Sequence, residues 1–511
     1  MAMHAAMPVT PLPMYVVFVS AVIMSGASAS SLWFHYIDPR NFTMAAATSP
    51  SSSSSSRRDG RPSLALLHRD AVSGRTYPST RHAMLGLAAR DGARAEYLQR
   101  RLSPTTMTTE VGSEVVSGIS EGSGEYFVRV GVGSPPTEQY LVLDSGSDVI
   151  WVQCRPCAEC YQQSDPLFDP AASASFTVVP CGSGVCRTLP GGSSGCADSG
   201  ACRYQVSYGD GSYTQGVLAM ETLTFGDSTP VQGVAICCGH RNRGLFVGAA
   251  GLLGLGWGPM SLVGQLGGAA GGAFSYCLAS RGADAGAGSL VLGRDDAMPV
   301  SAVWVPLLRN AQEPSFYYVG LTGLGVGGER LPLQDGLFDL TEDGGGGVVM
   351  DTGTAVTRLP PDAYAALRDA FADAVGGGLP RSPGVSLLDT CYDLSGYASV
   401  RVPTVALYFG RDGAALTLPA RNLLVEMGGG VYCLAFAASA SGLSILGNIQ
   451  QQGIQITVDS ATGYVGFGPT TPSPPRDLIA LSRKTHRGQG LLKSLPFWGF
   501  ARPNGSPERR P

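Results

Sequence analysis

The sequence carries one short pattern twice, and this duplication constrains the fold more than any other feature. The first copy reads LVLDSGS and contains Asp144, and the second reads VVMDTGT and contains Asp351, 207 residues later. In each copy an apolar run of strand-forming residues leads into an aspartate, which is followed by a hydroxyl residue, a glycine and a second hydroxyl residue. One copy alone could be an ordinary turn, because Asp and Gly favour turns. Two copies indicate two related halves.

A second repeated segment supports the duplication. AAGLLGLG follows the first aspartate by about a hundred residues, LSILGN follows the second by about ninety, and in both segments apolar residues precede a glycine. Two similar lobes that face each other would bring Asp144 and Asp351 together at a pseudo-twofold axis.

Two adjacent carboxylates predict a specific chemistry. At a separation of about 3 Å they cannot both ionise cheaply, so they share one proton. The charged member can act as general base on a water molecule, while the protonated member donates to a substrate carbonyl oxygen. No metal or cofactor is needed. The pattern therefore predicts hydrolysis of peptide bonds, with Asp144 and Asp351 as catalytic residues.

The small residues after each aspartate fit this role. The glycines allow other backbone to approach the carboxylates. The first hydroxyl residue of each set can hold the two loops together, and the second can orient a carboxylate. The predicted supporting residues are Ser145, Gly146, Ser147, Thr352, Gly353 and Thr354.

Composition predicts a mostly β protein. The 511 residues include 70 Gly and 35 Pro, and only 14% are charged, against an average of about 25%. Short strand-like runs such as YFVRVGVGSPP alternate with turn residues from Glu125 onward. The clearest helical pattern is PDAYAALRDAFADAV. A helical bundle or coiled coil is excluded.

The N-terminal sequence predicts secretion. The ten-residue apolar run YVVFVSAVIM is too short to span a bilayer, and SGASAS after it suits signal cleavage, although no Lys or Arg precedes the run. We therefore expect a secreted chain, in the cell wall or apoplast, with the vacuole or plastid as alternatives. The predicted organisation is a signal peptide (1–29), a propeptide with low-complexity and basic helical segments (30–118), an N-terminal catalytic lobe (119–305), a C-terminal catalytic lobe (306–469) and a basic, disordered tail (470–511).

Twelve cysteines, seven of them between Cys154 and Cys202, indicate disulfides in a secreted chain. The alternative is that CRPCAEC binds zinc through its C-x-x-C spacing, which an oxidising compartment disfavours. Cys391 and Cys433 are the only cysteines after the second aspartate motif, so we expect them to pair.

Charge is divided along the chain. Arg57–Arg101 contains ten arginines and four acidic residues, a net +6, whereas Leu102–Thr471 contains 16 arginines and 32 acidic residues, a net −16. We predict that the basic segment lies on the acidic body, holds the precursor inactive and is released as carboxylates protonate at low pH. The alternatives are that the segment only assists folding and that the acidic surface only aids solubility.

These motifs resemble those of the pepsin-like aspartic endopeptidases, and among them the plant group that includes nepenthesin and nucellin. The resemblance covers about residues 64–468, from LLHRDA, which resembles the start of that group's propeptide, to the segment ILGNIQQQG near the end. It implies a bilobal fold of two β-barrel-like lobes with the active-site cleft between them. The cysteine-rich stretch Cys181–Cys202 is similar to the group's insertion.

The same resemblance assigns the flap, a hairpin that covers the cleft. YQVSYGDGSYTQG is similar to the flap segment, which places Tyr208 and Gly209 at its functional positions and Trp151 in contact with the tyrosine. Three features depart from the group: a DSG in the first motif where DTG is commoner, Cys237 before the usual Cys-Gly, and the basic tail. The serine keeps the hydroxyl, and the other departures suggest an unusual or unpaired thiol.

One alternative function remains open at this point. A catalytically silent protein of the same fold would be a binding protein, such as a glycoside hydrolase inhibitor or a wall glycoprotein. The presence of both aspartates, Tyr208 and all the flanking hydroxyls favours the enzyme. We expect protein or peptide substrates, no nucleic acid or membrane partner, no metal or cofactor, and a monomer. His240 and Asp148 lie near motifs but are expected to be structural.

Overall fold

The computed structural model describes residues 33–39, 57–58, 61–69, 72, 77–102 and 126–468, apart from short gaps at 191–192, 209–211, 227–228, 245, 247, 268–270, 281–287, 294–300 and 411–412. The predicted signal peptide (1–29), the segment 103–125, Gly209 and the predicted tail (470–511) therefore lie outside the described residues. Within the described part strands dominate and form two lobes, so the prediction of a mostly β, bilobal fold is confirmed.

Three strands precede the first lobe: β1 (Phe34–Ile37), β2 (Arg57–Arg58) and β3 (Arg61–His68). The first lobe contains β4 (Tyr126–Val132), β5 (Thr137–Asp144), β6 (Trp151–Gln153), β7 (Thr177–Val178), β8 (Ser194–Cys196), β9 (Cys202–Ser207), β10 (Tyr213–Phe225), β11 (Thr229–Arg243), β12 (Gly251–Gly254), β13 (Ala273–Cys277) and β14 (Gly288–Leu292).

The second lobe contains β15 (Val303–Leu308), β16 (Tyr317–Val319), β17 (Leu321–Val326), β18 (Glu329–Arg330), β19 (Val348–Met350), β20 (Thr357–Leu359), β21 (Arg381–Ser382), β22 (Cys391–Asp393), β23 (Val400–Pro403), β24 (Val405–Phe409), β25 (Ala414–Thr417), β26 (Leu424–Gly428), β27 (Val431–Leu434), β28 (Phe436–Ala438), β29 (Ser444–Leu446), β30 (Gln455–Asp459) and β31 (Tyr464–Phe467). The α-helices are α1 (Thr80–Leu102), α2 (Gly184–Arg187), α3 (Leu262–Leu266), α4 (Pro361–Val375) and α5 (Asn448–Gln451). The helix predicted from PDAYAALRDAFADAV is α4.

A continuous antiparallel sheet connects the lobes. Strand β13 pairs with β14 of its own lobe and with β30 of the other, and β30 continues through β31 to β15. Strand β3 lies between β14 and β4, with Leu66 opposite Val128. Side chains such as Leu66 and Tyr276 are fully buried in a core shared by both lobes. The segment before the first lobe is therefore an integral part of the central sheet.

The internal repeat has a direct structural meaning. Strand β5, which leads into the first aspartate, pairs in parallel with β12, formed by GLLG. Strand β19, which leads into the second, pairs in parallel with β29, formed by SIL. Strands covered on both faces read as continuous apolar runs, and LVL of β5 and VVM of β19 are buried throughout. Each repeated segment thus supports the strand that carries an aspartate.

Residues 33–39, which lie in the predicted propeptide (30–118) before its serine-rich, low-complexity part, contain a strand that packs on the second lobe. Strand β1 pairs antiparallel with β23, and Trp33 O accepts a hydrogen bond from Thr404 N at 2.9 Å. Ile37 is buried in the main core, and the Arg401 guanidinium lies 3.6 Å from the ring centre of Phe34. The strand-type run WFHYI forms this edge contact, and the serine-rich composition that follows it hid the signal.

Five disulfides join ten of the cysteines: Cys154–Cys238, Cys157–Cys160, Cys181–Cys196, Cys186–Cys202 and Cys391–Cys433. Because all three cysteines of CRPCAEC are in disulfides, none offers a thiolate to zinc, and the zinc alternative is wrong. Cys237 is fully buried and outside these disulfides, and burial raises the pKa of its thiol well above the ordinary value. Cys277 is also not in a disulfide. Among the helices of the described chain, none has the length and apolar character needed to cross a membrane.

Candidate active site

The first aspartate loop holds its carboxylate through two local hydrogen bonds. Asp144 ends β5 and is only 1% exposed. Gly146 N donates to Asp144 Oδ1 at 2.9 Å, and Ser147 Oγ donates to Oδ2 at 2.7 Å. Both carboxylate oxygens are therefore oriented by the residues that directly follow the aspartate.

The second loop repeats this arrangement. Asp351 follows β19 and is fully buried. Gly353 N donates to its Oδ1 at 3.0 Å, and Thr354 Oγ1 donates to its Oδ2 at 2.5 Å. The two motifs that were recognised as a repeat in sequence have the same hydrogen bonds in space.

The two loops are joined to each other by reciprocal hydrogen bonds. Ser145 N donates to Thr352 Oγ1 at 3.1 Å, and Thr352 N donates to Ser145 Oγ at 3.0 Å. Thr352 Oγ1 also donates to Leu143 O at 3.2 Å. The serine of the DSG motif supplies the same acceptor and donor that a threonine would, so this departure leaves the contact intact.

One arginine from α1 lies between the two carboxylates. Arg94 Nη2 is 2.6 Å from Asp144 Oδ1 and 2.9 Å from Asp351 Oδ1. Nη1 donates to Asp144 Oδ2 at 3.2 Å, and Nε donates to Asp351 Oδ2 at 3.0 Å. All four carboxylate oxygens therefore bond to one guanidinium, and a single nitrogen atom reaches an oxygen of each aspartate.

Electrostatics favours the charged form of this arginine. Burial by itself would lower the pKa of Arg94, but the charges of Asp144 and Asp351 and their hydrogen bonds outweigh it and raise the pKa well above the ordinary value.

The glycines of the two loops make the close approach of the guanidinium possible: a Cβ at Gly146 would lie 2.5 Å from Arg94 Nη2, and one at Gly353 would lie 2.7 Å from Arg94 Cζ. A side chain at either position would displace the guanidinium of Arg94.

A second charged residue of α1, three positions before Arg94 in the chain, also forms hydrogen bonds in this region. Asp91 Oδ1 accepts hydrogen bonds from the backbone N–H groups of Ala355 and Val356, the latter at 2.9 Å. Its Oδ2 accepts a hydrogen bond from Arg358 Nη2, and the two side chains are 1% and 5% exposed. Residues three apart share one face of a helix, so Asp91 and Arg94 enter the cleft side by side.

Apolar residues on the same face of α1 pack on either side of this charged pair. Met84 and Leu87 belong to a buried cluster with Val425 and Met427 of β26. Toward the other end of the helix, Leu98 packs in a cluster of the second lobe whose other members include Phe316 and Ile445. The sequence predicted a basic helical segment here, but it did not indicate which charges would be buried.

Sequence reasoning missed Arg94, Asp91 and Arg358 as members of the site. The available signal was Asp91 and Arg94 at a three-residue spacing among alanines and leucines, on the face that also carries Met84, Leu87 and Leu98. Treating the arginines as one diffuse basic charge concealed it. Asn448 was also missed, and its Nδ2 donates to Thr352 O at 3.0 Å from the segment ILGN.

Tyr208 forms the contact with Trp151 that the resemblance implies. Tyr208 follows β9, and its Oη accepts a hydrogen bond from Trp151 Nε1 at 2.9 Å. Phe246 packs against both rings, with centres 4.9 Å from Trp151 and 5.5 Å from Tyr208. Burial, and secondly the charge of Asp144, raise the pKa of Tyr208 well above its ordinary value, so it stays protonated.

The two other polar residues near the motifs have structural contacts. His240 Nδ1 lies 2.9 Å from Pro156 O, and the His240 side chain is partly exposed. Asp148 Oδ1 accepts from Gly258 N at 2.9 Å, and its Oδ2 accepts from Ser315 Oγ of the second lobe at 2.5 Å. Asp148 therefore connects the lobes beside the two aspartate loops. Within the described residues, no group of three or more His, Cys, Asp or Glu side chains has metal-binding geometry.

An open part of the cleft remains beside Arg94. It has a volume of about 700 Å³, and its lining includes Ser147, Tyr208, Trp257 and Arg309. The guanidinium of Arg309 lies 3.3 Å from the ring centre of Trp257. The cleft is therefore occupied by α1 on one side of the aspartates and unfilled on the other.

Comparisons with known proteins identify the family. The model described as Xylanase inhibitor N-terminal matches residues 126–294, and that described as Xylanase inhibitor C-terminal matches residues 316–469. These matches fall within the two lobes predicted from sequence.

Curated relatives are named as proteases. The chain is 61% identical to Protein ASPARTIC PROTEASE IN GUARD CELL 2 of Arabidopsis thaliana over 80% of this chain and 87% of that protein. It is 39% identical to Aspartic proteinase nepenthesin-2 of Nepenthes gracilis over 73% of this chain and 83% of that protein. The crystal structure of edgp has a TM-score of 0.56, with 20% identity over 68% of this chain and 91% of that one, which supports the fold. The chain is an aspartic-type endopeptidase and belongs to the pepsin-like family, in its plant nepenthesin-like group.

Proposed function

We propose that Asp144 and Asp351 form the catalytic dyad of this peptidase. The observation that carries the proposal is that one nitrogen atom of Arg94 bonds to an oxygen of each carboxylate. Carboxylates this close share a proton near the working pH. The hydroxyls of Ser147 and Thr354 and the loop N–H groups hold all four oxygens in place, which is the preorganisation that such a pair requires.

The proposed reaction uses only these two side chains and a water molecule. The charged carboxylate takes a proton from the water, whose oxygen attacks the carbonyl carbon of the peptide bond. The protonated carboxyl donates its proton to the carbonyl oxygen, so a tetrahedral diol forms. One hydroxyl of the diol returns a proton to the carboxylate that had donated to the carbonyl oxygen. The other carboxyl gives the proton that it took from water to the leaving nitrogen, and the carbon–nitrogen bond breaks.

We further propose that the described chain is an inactive precursor. Arg94 lies before the predicted end of the propeptide at residue 118, and its guanidinium occupies the space where the water and the substrate carbonyl would lie. Strand β3 of the same segment lies in the central sheet, so the propeptide is held at both places. Removal of α1 from the cleft is then a requirement for activity.

Acid is the proposed trigger. Arg94 stays charged at all physiological pH values because its pKa is raised. The contact therefore changes with pH through its carboxylate partners: as they protonate, the attraction that holds the buried guanidinium is lost. The same acidic conditions leave the dyad with the proton that catalysis needs.

Secretion is proposed from the disulfides together with the N-terminal sequence. Disulfides persist in oxidising compartments, and five are present in the described chain. The cell wall or apoplast is the compartment that we propose.

The test is a pH profile of cleavage of an acid-denatured protein by the purified precursor. We expect activity to appear on acidification, to be abolished by pepstatin and to be unaffected by a chelator. Activity that needs metal, or that persists in the presence of pepstatin, would contradict the proposed dyad.

The description of the matching family models provides one further arm for this experiment. The same preparation is added to a xylanase assay at a pH where both proteins are stable. Inhibition of the xylanase without any peptidase activity would favour the binding-protein alternative.

A further inference from the structure

We propose that the mature enzyme recognises an acidic side chain of its substrate through Arg358 and the backbone N–H groups of Ala355 and Val356. This inference rests on the proposed function, because it concerns the substrate of the same cleft. The carboxylate of Asp91 already occupies this position in the precursor and serves as the stand-in for the substrate group.

The pocket is a complete receptor for one carboxylate. One oxygen of Asp91 receives two backbone N–H groups and the other receives a guanidinium nitrogen, so both oxygens are bound. Charge-assisted hydrogen bonds of this kind are stronger than neutral ones. The side chains of Asp91 and Arg358 are 1% and 5% exposed, so the interaction is little screened by solvent.

The protein holds this receptor rigidly and independently of the propeptide. Arg358 lies in the middle of β20, which pairs in parallel with β28 and antiparallel with β29. The neighbouring Thr357 is fixed by Gln450 Oε1, which accepts from its N–H at 3.3 Å and from its hydroxyl at 2.6 Å. The backbone N–H groups that bind Asp91 come just after the second catalytic loop. When α1 leaves, these donors lose the carboxylate of Asp91 as their partner.

The position of the pocket relative to the dyad sets where the acidic residue would lie. Asp91 and Arg94 are three residues apart in α1, which is about 4.5 Å along a helix axis at a rise of 1.5 Å per residue. An extended peptide advances about 3.3 Å per residue. The recognised side chain therefore lies one or two residues from the bond that is cut.

The alternative is that Arg358 serves only to dock the propeptide. In that case the mature enzyme would be indifferent to charge at every substrate position. A backbone carbonyl of the substrate could also accept from Ala355 N, but such a contact would not discriminate between side chains.

The test is a peptide series with one glutamate moved through four positions on each side of a fixed scissile bond, matched at every position by glutamine. Wild-type mature enzyme should prefer Glu over Gln in kcat/KM at one position, one or two residues from the bond. We expect a preference of about 10- to 100-fold, since a hydrogen bond to a charged group contributes about 1.5–3 kcal/mol.

The variant is Arg358→Gln made together with Asp91→Asn, so that the precursor folds with two neutral groups in place of the ion pair. Asp91 precedes the predicted propeptide boundary, so the mature enzyme differs from wild type only at Arg358. We expect this enzyme to lose the Glu preference, because kcat/KM should fall more on the Glu peptide than on its Gln match. Arg358→Lys should keep part of it, and Arg330→Gln, a matched change on exposed β18, should keep all of it.

Three outcomes would overturn the proposal: no position with a Glu preference above about twofold in wild type, a preference that survives Arg358→Gln, or an equal loss on Glu and Gln peptides. In each of these the Gln peptides are still cleaved, so the proposed dyad stands. Failure of wild-type enzyme to cleave any peptide would instead remove the proposed function and this inference together.

Discussion

Ser145 and Thr352 each donate a backbone N–H to the hydroxyl oxygen of the other, at 3.1 and 3.0 Å. Both residues are buried, at 3% and 1% exposure, and they belong to different lobes. The reciprocal pair therefore fixes the distance between the two aspartate loops without involving the carboxylates themselves.

The first prediction concerns this pair. Ser145→Ala removes the acceptor of Thr352 N and leaves a buried N–H without its partner, which costs about 1–3 kcal/mol. We expect the free energy of unfolding to fall by that amount, measured by urea denaturation of the precursor. We also expect kcat/KM to fall, because the spacing of the loops is loosened.

Ser145→Thr is the matched control. It restores the DTG pattern that is commoner in the family and keeps the hydroxyl, so stability and activity should stay close to wild type. Equal stability of the Ala and Thr variants would show that the reciprocal bonds contribute nothing.

The second prediction concerns the dyad. Asp144→Asn and Asp351→Asn each remove the shared proton while conserving shape, so each should abolish peptidase activity. In the precursor Arg94 retains one carboxylate, so both variants should fold with all disulfides formed. The measurements are peptide cleavage after removal of the propeptide, and circular dichroism. More than a few per cent of wild-type activity in either pure variant contradicts the dyad mechanism.

The two aspartates could be identified as candidate site residues from the sequence alone, because the motif around each of them is local and occurs twice. LVLDSGS and VVMDTGT each contain the strand, the carboxylate and all its local hydrogen-bond donors within seven residues. The parallel partners of these strands were also visible, as repeated apolar segments. These parts of the site follow from short-range pattern and symmetry.

Arg94 could not be predicted in the same way. It is separated from Asp144 by 50 residues and from Asp351 by 257. Its three-residue spacing from Asp91 on the apolar face of α1 could have indicated burial, but it does not identify the partners. Its role depends on how α1 packs in the cleft. The same holds for Arg358, whose partner Asp91 lies 267 residues away. Long-range pairs between charged residues carry no periodic signature in a single sequence.

The third prediction concerns the flap. Tyr208→Phe removes the acceptor of Trp151 Nε1, which is otherwise bonded at 2.9 Å. We expect kcat/KM to fall by about tenfold, in line with a net contribution near 1.4 kcal/mol for one hydrogen bond. Because Tyr208 stays protonated through the whole acidic range, the shape of the pH profile should not change. A shifted pH optimum in this variant would mean that the tyrosine itself titrates in the reaction.

The fourth prediction is the pH dependence of activity. In the proposed mechanism a pair of interacting carboxyl groups loses its protons in two steps, and the reactive form holds one proton. We expect a bell-shaped profile of kcat/KM with its maximum below about pH 5, because above both steps no proton is left to donate. The measurement uses mature enzyme and a peptide without titratable side chains. A maximum near pH 8 would indicate different chemistry.

The last prediction separates a specific plug from a diffuse charge latch. Arg94→Gln removes the guanidinium that bonds to both aspartates, whereas Arg81→Gln removes the same charge from the exposed start of the same helix. A diffuse attraction between the basic segment and the acidic body predicts equal effects. A specific plug predicts that only Arg94→Gln raises the pH at which the precursor becomes active.

The direction of the expected shift in activation pH follows from which groups titrate. The raised pKa of Arg94 lies far above the working range, so this side of the contact is fully formed at every pH below it and is not lost on acidification. Wild-type release therefore waits for the carboxylates to protonate, whereas without Arg94 that barrier is absent. We expect the pH midpoint of activation of Arg94→Gln to lie at least about one pH unit above that of the wild-type precursor. The midpoint is measured from peptide cleavage at set pH values. High salt should leave the wild-type midpoint nearly unchanged because the contact is buried. Equal midpoints for both variants, both shifted by salt, would restore the diffuse latch and leave the guanidinium between Asp144 and Asp351 without a regulatory role.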